Sequence, residues 1–433
     1  MDSKFPTVTT YSQQEVMRPM RKPITITAVA VAICLLALPA TNANSNNKPA
    51  AKNATFTKDV APIFFKQCAE CHREGEVAPF SVMSYKDVRP WAKSIREKVV
   101  SKEMPPWHAD PNHGQWLNDR RLSQAEIETI TAWVDGGAKE GDPKALPPAP
   151  KFIDGWAIGK PDETFSIPEQ SVPATGVIKY QYFDVPTNFK EDRWIEAAEI
   201  RSTGRAAVHH VIVFISDPSS SARGDGNLLA GFAPGEQPTR FRPGMAKKVP
   251  AGSKMRFQMH YTPNGAATKD VTTIGVIYAK ETPKHQVLTR PVLNTGFVIP
   301  AGAANHEVKS FHTFREDTNI VSFMPHMHLR GKDFEIKAIY PDGTSKILLN
   351  VPKYDFNWQT YYVPKEAVAI PKGTKIECTA HFDNSTNNKY NPDPTKDVRW
   401  GDQTWEEMMI GWLSYYNRPG PKPAASSDSG GQK

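Results

Sequence analysis

Val208-His209-His210-Val211-Ile212-Val213-Phe214-Ile215 is apolar apart from two imidazoles and mostly β-branched or aromatic, the composition of a short strand. Segments of the same kind recur downstream. Met255 to Tyr261, Thr273 to Tyr278, Ile320 to Phe323, Phe334 to Tyr340 and Lys375 to Phe382 all read as strands between turn signals. Asp342-Gly343 follows one of them as a hairpin turn signal. The 38 prolines, many at turn-like positions, and the scarcity of long helical patterns agree with a β-rich chain. At 433 residues the chain is too long for one ordinary core. The expectation is two all-β, jelly-roll-like sandwich domains, 175–290 and 291–418, meeting near residues 285–295.

Upstream the pattern changes to a small all-α domain over residues 55–143. Phe56, Val60, Ile63 and Phe64 recur at helical spacing. Ser123 with Glu126 three places on reads as a capping box, and the helix it opens runs through Ile127, Ile130 and Trp133 to Gly136-Gly137, a C-cap. Between these helices stands Cys68-Ala69-Glu70-Cys71-His72. C-x-x-C-H is the attachment signature of a c-type haem: two thiols form thioethers and the imidazole becomes the first axial ligand. A thioredoxin-like redox pair is the rival reading, but it should follow a βαβ pattern, and none is visible. The domain resembles a class I cytochrome c. Met104, in Met104-Pro105-Pro106-Trp107, is the best candidate for the second axial ligand, since its thioether suits haem iron and proline stiffens the loop. Met83 and His108 are the rival ligands, and a methionine packed on the core is the bland alternative.

The ends and joints follow from composition. Arg18, Arg21 and Lys22 precede an apolar run from Ile24 to Leu38 and then Ala40-Thr41-Asn42-Ala43, so 1–43 reads as an export signal. Met17 and Met20 offer alternative starts. The apolar run is short for a bilayer span, so membrane anchoring requires the signal to stay uncleaved. Residues 44–54 are a polar spacer, 144–174 a Pro-rich linker and 419–433 a polar tail, the first and last expected to be disordered. The formal charge of +7 is modest, and no basic stripe interleaved with aromatics argues for nucleic acid. Of four cysteines, Cys34 lies in the signal, Cys68 and Cys71 belong to the haem motif and Cys378 stands alone. No disulfide framework is expected, and the setting is periplasmic or secreted.

The histidines are placed unevenly. His209 and His210 lie inside one strand, His260 ends another in Gln258-Met259-His260-Tyr261, and His326 and His328 stand at i, i+2 in Pro325-His326-Met327-His328. The i, i+2 pair shares a strand face and can converge on one ion. Adjacent strand residues point oppositely unless a bulge turns them, which weakens the His209-His210 pair as a metal clamp. Imidazole-rich sites suit copper or zinc, and a methionine donor favours copper. His381, in Ala380-His381-Phe382-Asp383, reads as a turn histidine. His285, His306 and His312 receive no role.

This histidine series, followed by Glu406-Glu407-Met408, resembles the copper type II, ascorbate-dependent monooxygenases, the family of peptidylglycine α-hydroxylating and dopamine β-monooxygenases. The resemblance covers roughly residues 175–418. It implies that His209, His210 and His260 hold an electron-storing copper in the first sandwich. It further implies that His326, His328 and Met408 hold an oxygen-binding copper, and act as the catalytic set, in the second. One oxygen atom of O₂ would enter a C–H bond, the other leaving as water, with one electron held at each copper. Two departures stand out. The family usually has cysteine directly after the ligand methionine, bonded to a neighbouring strand; here Met409 occupies that place and Cys378 lacks its partner. The substrate-anchoring residues of the animal enzymes have no counterpart.

The combined expectation is an exported copper-dependent monooxygenase with a haem c domain supplying its electrons. Its partners would be O₂, a reductant (ascorbate or a periplasmic donor) and an unidentified small-molecule or peptide substrate. The alternative is a periplasmic electron-transfer cytochrome whose sandwiches are non-catalytic binding domains. A third reading runs the copper centre in reverse, passing substrate electrons through the haem to a respiratory acceptor.

Overall fold

The structure, a computed structural model, describes residues 53–76, 78–153, 155–219, 227–233 and 236–418. The expected signal and tail, and most of the 44–54 spacer, lie outside these residues. No helix among the described residues is long and apolar enough to cross a membrane.

Within residues 55–143 the helices lie at 56–67, 85–100 and 124–135. Phe56–Val60 runs directly into Ala61–Gln67, and Ala92–Val100 and Gln124–Asp135 follow. Ser123 Oγ accepts the Glu126 N–H at 3.3 Å while Glu126 Oε2 accepts the Ser123 N–H at 2.7 Å, so the capping box forms. Gly137 follows the helix at φ +92°, a conformation that a residue with a Cβ rarely adopts. Phe56, Phe64, Ile130 and Trp133 are buried together, with Phe64 and Trp133 edge-to-face at 6.4 Å.

The first sandwich packs a six-stranded sheet on a four-stranded one. The four-stranded sheet runs Gln181–Pro186, Lys254–Tyr261, Val208–Ser216, Leu228–Phe232, all antiparallel. In the second sandwich, Leu288–Leu293, Ile410–Asn417, Thr318–His326 and Val368–Ile370 form one sheet. His306–Thr313, Lys375–Phe382, Gly331–Ile339 and Ser345–Val351 form the other. Each strand expected from sequence is present, five of the six longer by one to three residues at one end or both, and Gly343 turns the expected hairpin at φ +85°.

The two sandwiches meet across an apolar layer in which Phe214 and Leu228 of the first pack with Met324, Met408, Ile410 and Trp412 of the second. The strands Val208–Ser216 and Thr318–His326 thus face the joint and carry His209, His210 and His326, with His260 on the neighbouring strand Lys254–Tyr261 and His328 just past Thr318–His326.

Two segments depart from their expected character. The 144–174 stretch is not linker throughout. Glu163–Ser166 pairs with Thr272–Tyr278 as an edge strand, and Phe165, Ile167 and Val172 enter the first core. Three apolar side chains outweigh the proline content that suggested a linker. Residues 107–116, assigned to the helical domain, leave it. Trp107 and Trp116 lie in the second sandwich's core, 5.0 and 5.5 Å from the Tyr362 ring. The Leu117 N–H donates to Val363 O at 2.8 Å, and the Asp110 N–H to Asn350 O at 2.8 Å. This strap ties the helical part to the second sandwich.

Candidate metal centres

The bulge that the His209-His210 pair needs is present. Along the ladder between Val208–Ser216 and Lys254–Tyr261, Val208 pairs with Tyr261 but His210 pairs with His260, leaving His209 as the extra residue. Two residues therefore oppose one, and all three rings turn to the same side. The Nδ1 atoms of His209 and His210 stand 3.1 Å apart, and those of His260 and His210 3.4 Å. Metal–nitrogen bonds of 2.0–2.1 Å in tetrahedral arrangement set ligand nitrogens roughly 3.4 Å apart, so the donor spacing fits one ion. Across the described residues this is the group of three histidine, cysteine or acidic side chains whose donor atoms converge within 4.8 Å. His210 Nε2 is buried with no hydrogen-bond partner among the described residues.

Burial dominates the titration of these rings. It pushes His260 down to about 3, and His210 and His209 also fall, each chiefly through lost solvation. All three are neutral at physiological pH, with lone pairs open to a metal.

The second set lies at the end of Thr318–His326. His326 and His328 have ring centroids 5.2 Å apart, with Met327 between them turned into the core of the second sandwich. The strand ends at His326, so His328 stands just past it. His326 Nδ1 donates to Gln359 Oε1 at 2.8 Å and His328 Nδ1 to Glu406 O at 3.1 Å. Each bond fixes a tautomer that frees Nε2, and His328 Nε2 is buried without a partner among the described residues. Burial pushes His326 down to about 4. Met408 precedes Ile410, which pairs with His326, so the antiparallel register runs on toward His328 and Met408. Met408 is buried beside Met324 and Ile410.

Glu407 clamps this region. It is fully buried and accepts the N–H of His328 at 2.8 Å and of Arg330 at 2.6 Å, one on each oxygen. Burial pushes its carboxyl up, and the two N–H groups with the Arg330 guanidinium at 3.9 Å pull it back. Two accepting oxygens are the pattern of a carboxylate.

The two sets are neighbours. The Phe356 ring stacks on His209 at 5.0 Å and 16° and lies 5.8 Å from His328. Tyr180 stands 4.7 Å from His260 and 6.4 Å from His328. Sequence reasoning missed Tyr180, Phe356, Gln359 and the clamping role of Glu407. The first three lie outside any motif, and nothing local marks them.

A separate cavity of about 770 Å³ is lined by Cys68, Cys71, His72, Met104 and His108, with Phe64, Phe80, Val82, Ile95 and Val99 as apolar wall. That size falls among cofactor sites of roughly 300–1,000 Å³. His72 Nδ1 donates to Phe80 O at 3.2 Å, leaving Nε2 free. Burial pushes the Cys68 thiol up to about 12 and raises Cys71 as well, opposite to the activated thiolate of a thioredoxin-like pair. Both second-ligand candidates, Met104 and His108, reach this wall; Met83 packs on the helical core and is absent from it.

His381 joins neither set. It lies in strand Lys375–Phe382, where its Nδ1 hydrogen-bonds Asp333 Oδ1 at 2.7 Å, a strand position and not the turn expected. Cys378 is a free, buried thiol, and Met409 packs in the same core, its sulfur 3.3 Å from Ser310 Oγ.

Comparison with known proteins bears on one part of the chain. No curated protein matches the sequence. Among solved structures, the major capsid protein P2 from bacteriophage PM2 is similar at TM-score 0.29 and 12% identity, over 59% of this chain and 97% of that one. N-glycanase F is similar at TM-score 0.28 and 11% identity, over 59% and 97%. Both values are too low to bear on fold or function. Residues 290–428, which hold His326, His328, Glu407 and Met408, match the family model of the copper type II ascorbate-dependent monooxygenase C-terminal domain, and this match supports a copper monooxygenase.

Proposed function

We propose that this chain is an exported copper-dependent monooxygenase that inserts one oxygen atom of O₂ into a C–H bond, with electrons supplied by a c-type haem in its helical domain. The observation that carries the reading is the pairing of two imidazole sets across the sandwich joint, one inside the matched segment. His209, His210 and His260 would hold one copper through Nδ1. His326, His328 and Met408 would hold the other, the thioether favouring the reduced ion. Bound copper supplies the one-electron chemistry that activates dioxygen.

The chain's own residues do the placing. Gln359 and the Glu406 carbonyl keep Nδ1 protonated on the second pair, so that Nε2 faces the ion. Glu407 holds the backbone beyond His326 against the segment that carries Met408. Tyr180 and Phe356 pack against histidines of both sets. In the helical domain, Cys68 and Cys71 would bind the haem, and His72 with Met104 or His108 would supply its iron ligands. The strap of Trp107 and Trp116 keeps that domain on the sandwiches, which supports a resident donor at high effective concentration.

O₂ and an external reductant, ascorbate or a periplasmic donor, are the partners of this reading. The substrate is a small molecule or peptide, and the location is periplasmic or secreted. Haem content by alkaline pyridine spectrum should be one per chain. O₂ should reoxidise the ferrous haem faster in copper-loaded than in copper-free protein. Equal rates would remove the electron-supplying role.

A further inference from the structure

The turn Asp355–Trp358 is the shared wall of the Cys68/Cys71/His72 cavity and the first histidine set. Asp355 and Trp358 line the cavity. Between them Phe356 is 8% exposed and turns the other way, stacked on His209 at 5.0 Å and standing 6.0 Å from His260 and 6.2 Å from His210. Asn357 bonds His209, and Gln359, two positions on, holds His326. Five consecutive residues therefore touch the cavity and both imidazole sets.

The turn is rigid for its length. Asp355 Oδ1 accepts the Asn357 N–H and side-chain amide at 2.9 Å each, and the Trp358 N–H donates to Asp355 O at 3.0 Å. Gln359 Nε2 donates to Phe356 O at 2.8 Å. Asp355 and Trp358 of the second sandwich and the exposed Gln237 of the first are the lining residues that the sandwiches contribute to the cavity.

We propose that Phe356 and Trp358 carry the electronic coupling between the haem cavity and the His209/His210/His260 centre. The proposal rests on the function proposed above and adds its route. The step is a single electron: a ferrous haem becomes ferric and a cupric ion at the first set becomes cuprous, with no atom or proton transferred. An external one-electron donor restores the haem. Two aromatic side chains separated by one residue span the wall, Trp358 on the cavity side and Phe356 against the His209 ring. The roles are positional, since neither side chain ligates either centre.

The test uses the full chain with covalent haem and copper. A light-generated one-electron donor reduces the haem within a pulse under anaerobic conditions, and haem absorbance follows its reoxidation. Loss of the cupric electron-spin signal counts the electrons that arrive. Wild type should show copper-dependent reoxidation, absent from copper-free protein. Phe356→Leu and Trp358→Leu should each slow it at least tenfold, with haem spectrum, reduction potential and copper content unchanged. If wild type transfers electrons and both variants stay within twofold of it, the route is overturned and the haem-to-copper function stands. If wild type shows no copper-dependent reoxidation, the function itself fails and the route with it. Should Phe356→Leu lose copper, Trp358→Leu decides alone, because among the described residues the Trp358 ring stacks on no histidine of the set.

Discussion

Replacing Glu407 by glutamine is the sharpest test of how the second centre is built. The native carboxylate accepts two buried backbone N–H groups, from His328 at 2.8 Å and Arg330 at 2.6 Å. A glutamine side chain offers one oxygen and one NH₂ group, so one N–H would face a donor. An unsatisfied buried donor costs about 1–3 kcal/mol. The Arg330 guanidinium, 2% exposed, would also lose its counter-charge, although Asn384 Oδ1 and Trp405 O at 2.9 Å still accept from it. Breaking a buried pair costs about 3–5 kcal/mol; the 3.9 Å separation is long, so the lower end applies. The expected loss is about 4–6 kcal/mol in all, read by denaturant unfolding of copper-free protein at pH 7. The backbone of His328 loosens with it, so copper content should fall toward one per chain while the first set keeps its ion. A loss under about 1 kcal/mol with both coppers retained would refute the clamp. It would mean that the side chain is already a neutral acid in the native protein.

Other substitutions and conditions separate the parts. Met408→Ile should abolish oxygen-dependent turnover and leave the haem spectrum unchanged; retained turnover would place the sulfur ligand elsewhere. Gln359→Leu removes the acceptor from His326 Nδ1 and should weaken the second copper roughly 10–100-fold, the usual effect of losing an orienting partner. Copper titration by calorimetry reads this, and an unchanged affinity would make Gln359 a bystander. Acid stability follows from the depressed imidazoles. A histidine whose native pKa lies below its unfolded value of 6.5 contributes stability above 6.5 that is lost as pH falls toward the native value. For His260, about 3, and His326, about 4, the loss between pH 6.5 and pH 5 is about 1.5 kcal/mol each. Copper-free protein should therefore lose about 3 kcal/mol over that window, and copper should restore much of it. A flat stability curve would show that these rings are solvated.

The strands and the helical domain's caps were legible because each states its geometry locally. Alternation marks Lys375–Phe382, and Ser123 with Glu126 marks a helix start. The histidines were legible as a set, but the bulge that aligns His209 with His210 was not, since no glycine or proline announces it. Phe356, Tyr180 and Gln359 act through long-range packing and carry no local signature. Trp107 and Trp116 misled in a different way. Sequence proximity put them with the helices, whereas two indoles gain more by entering the larger core of the second sandwich. Phe165 and Ile167 did the same to the expected linker.

Metal analysis of the purified full chain tests the central claim most directly. After copper loading and removal of loosely bound ions, the account expects two coppers and one haem per chain. It further expects His210→Ala to remove one copper and His328→Ala the other, each leaving the haem in place. A chain that holds haem and no copper, or whose copper content is indifferent to both substitutions, contradicts it.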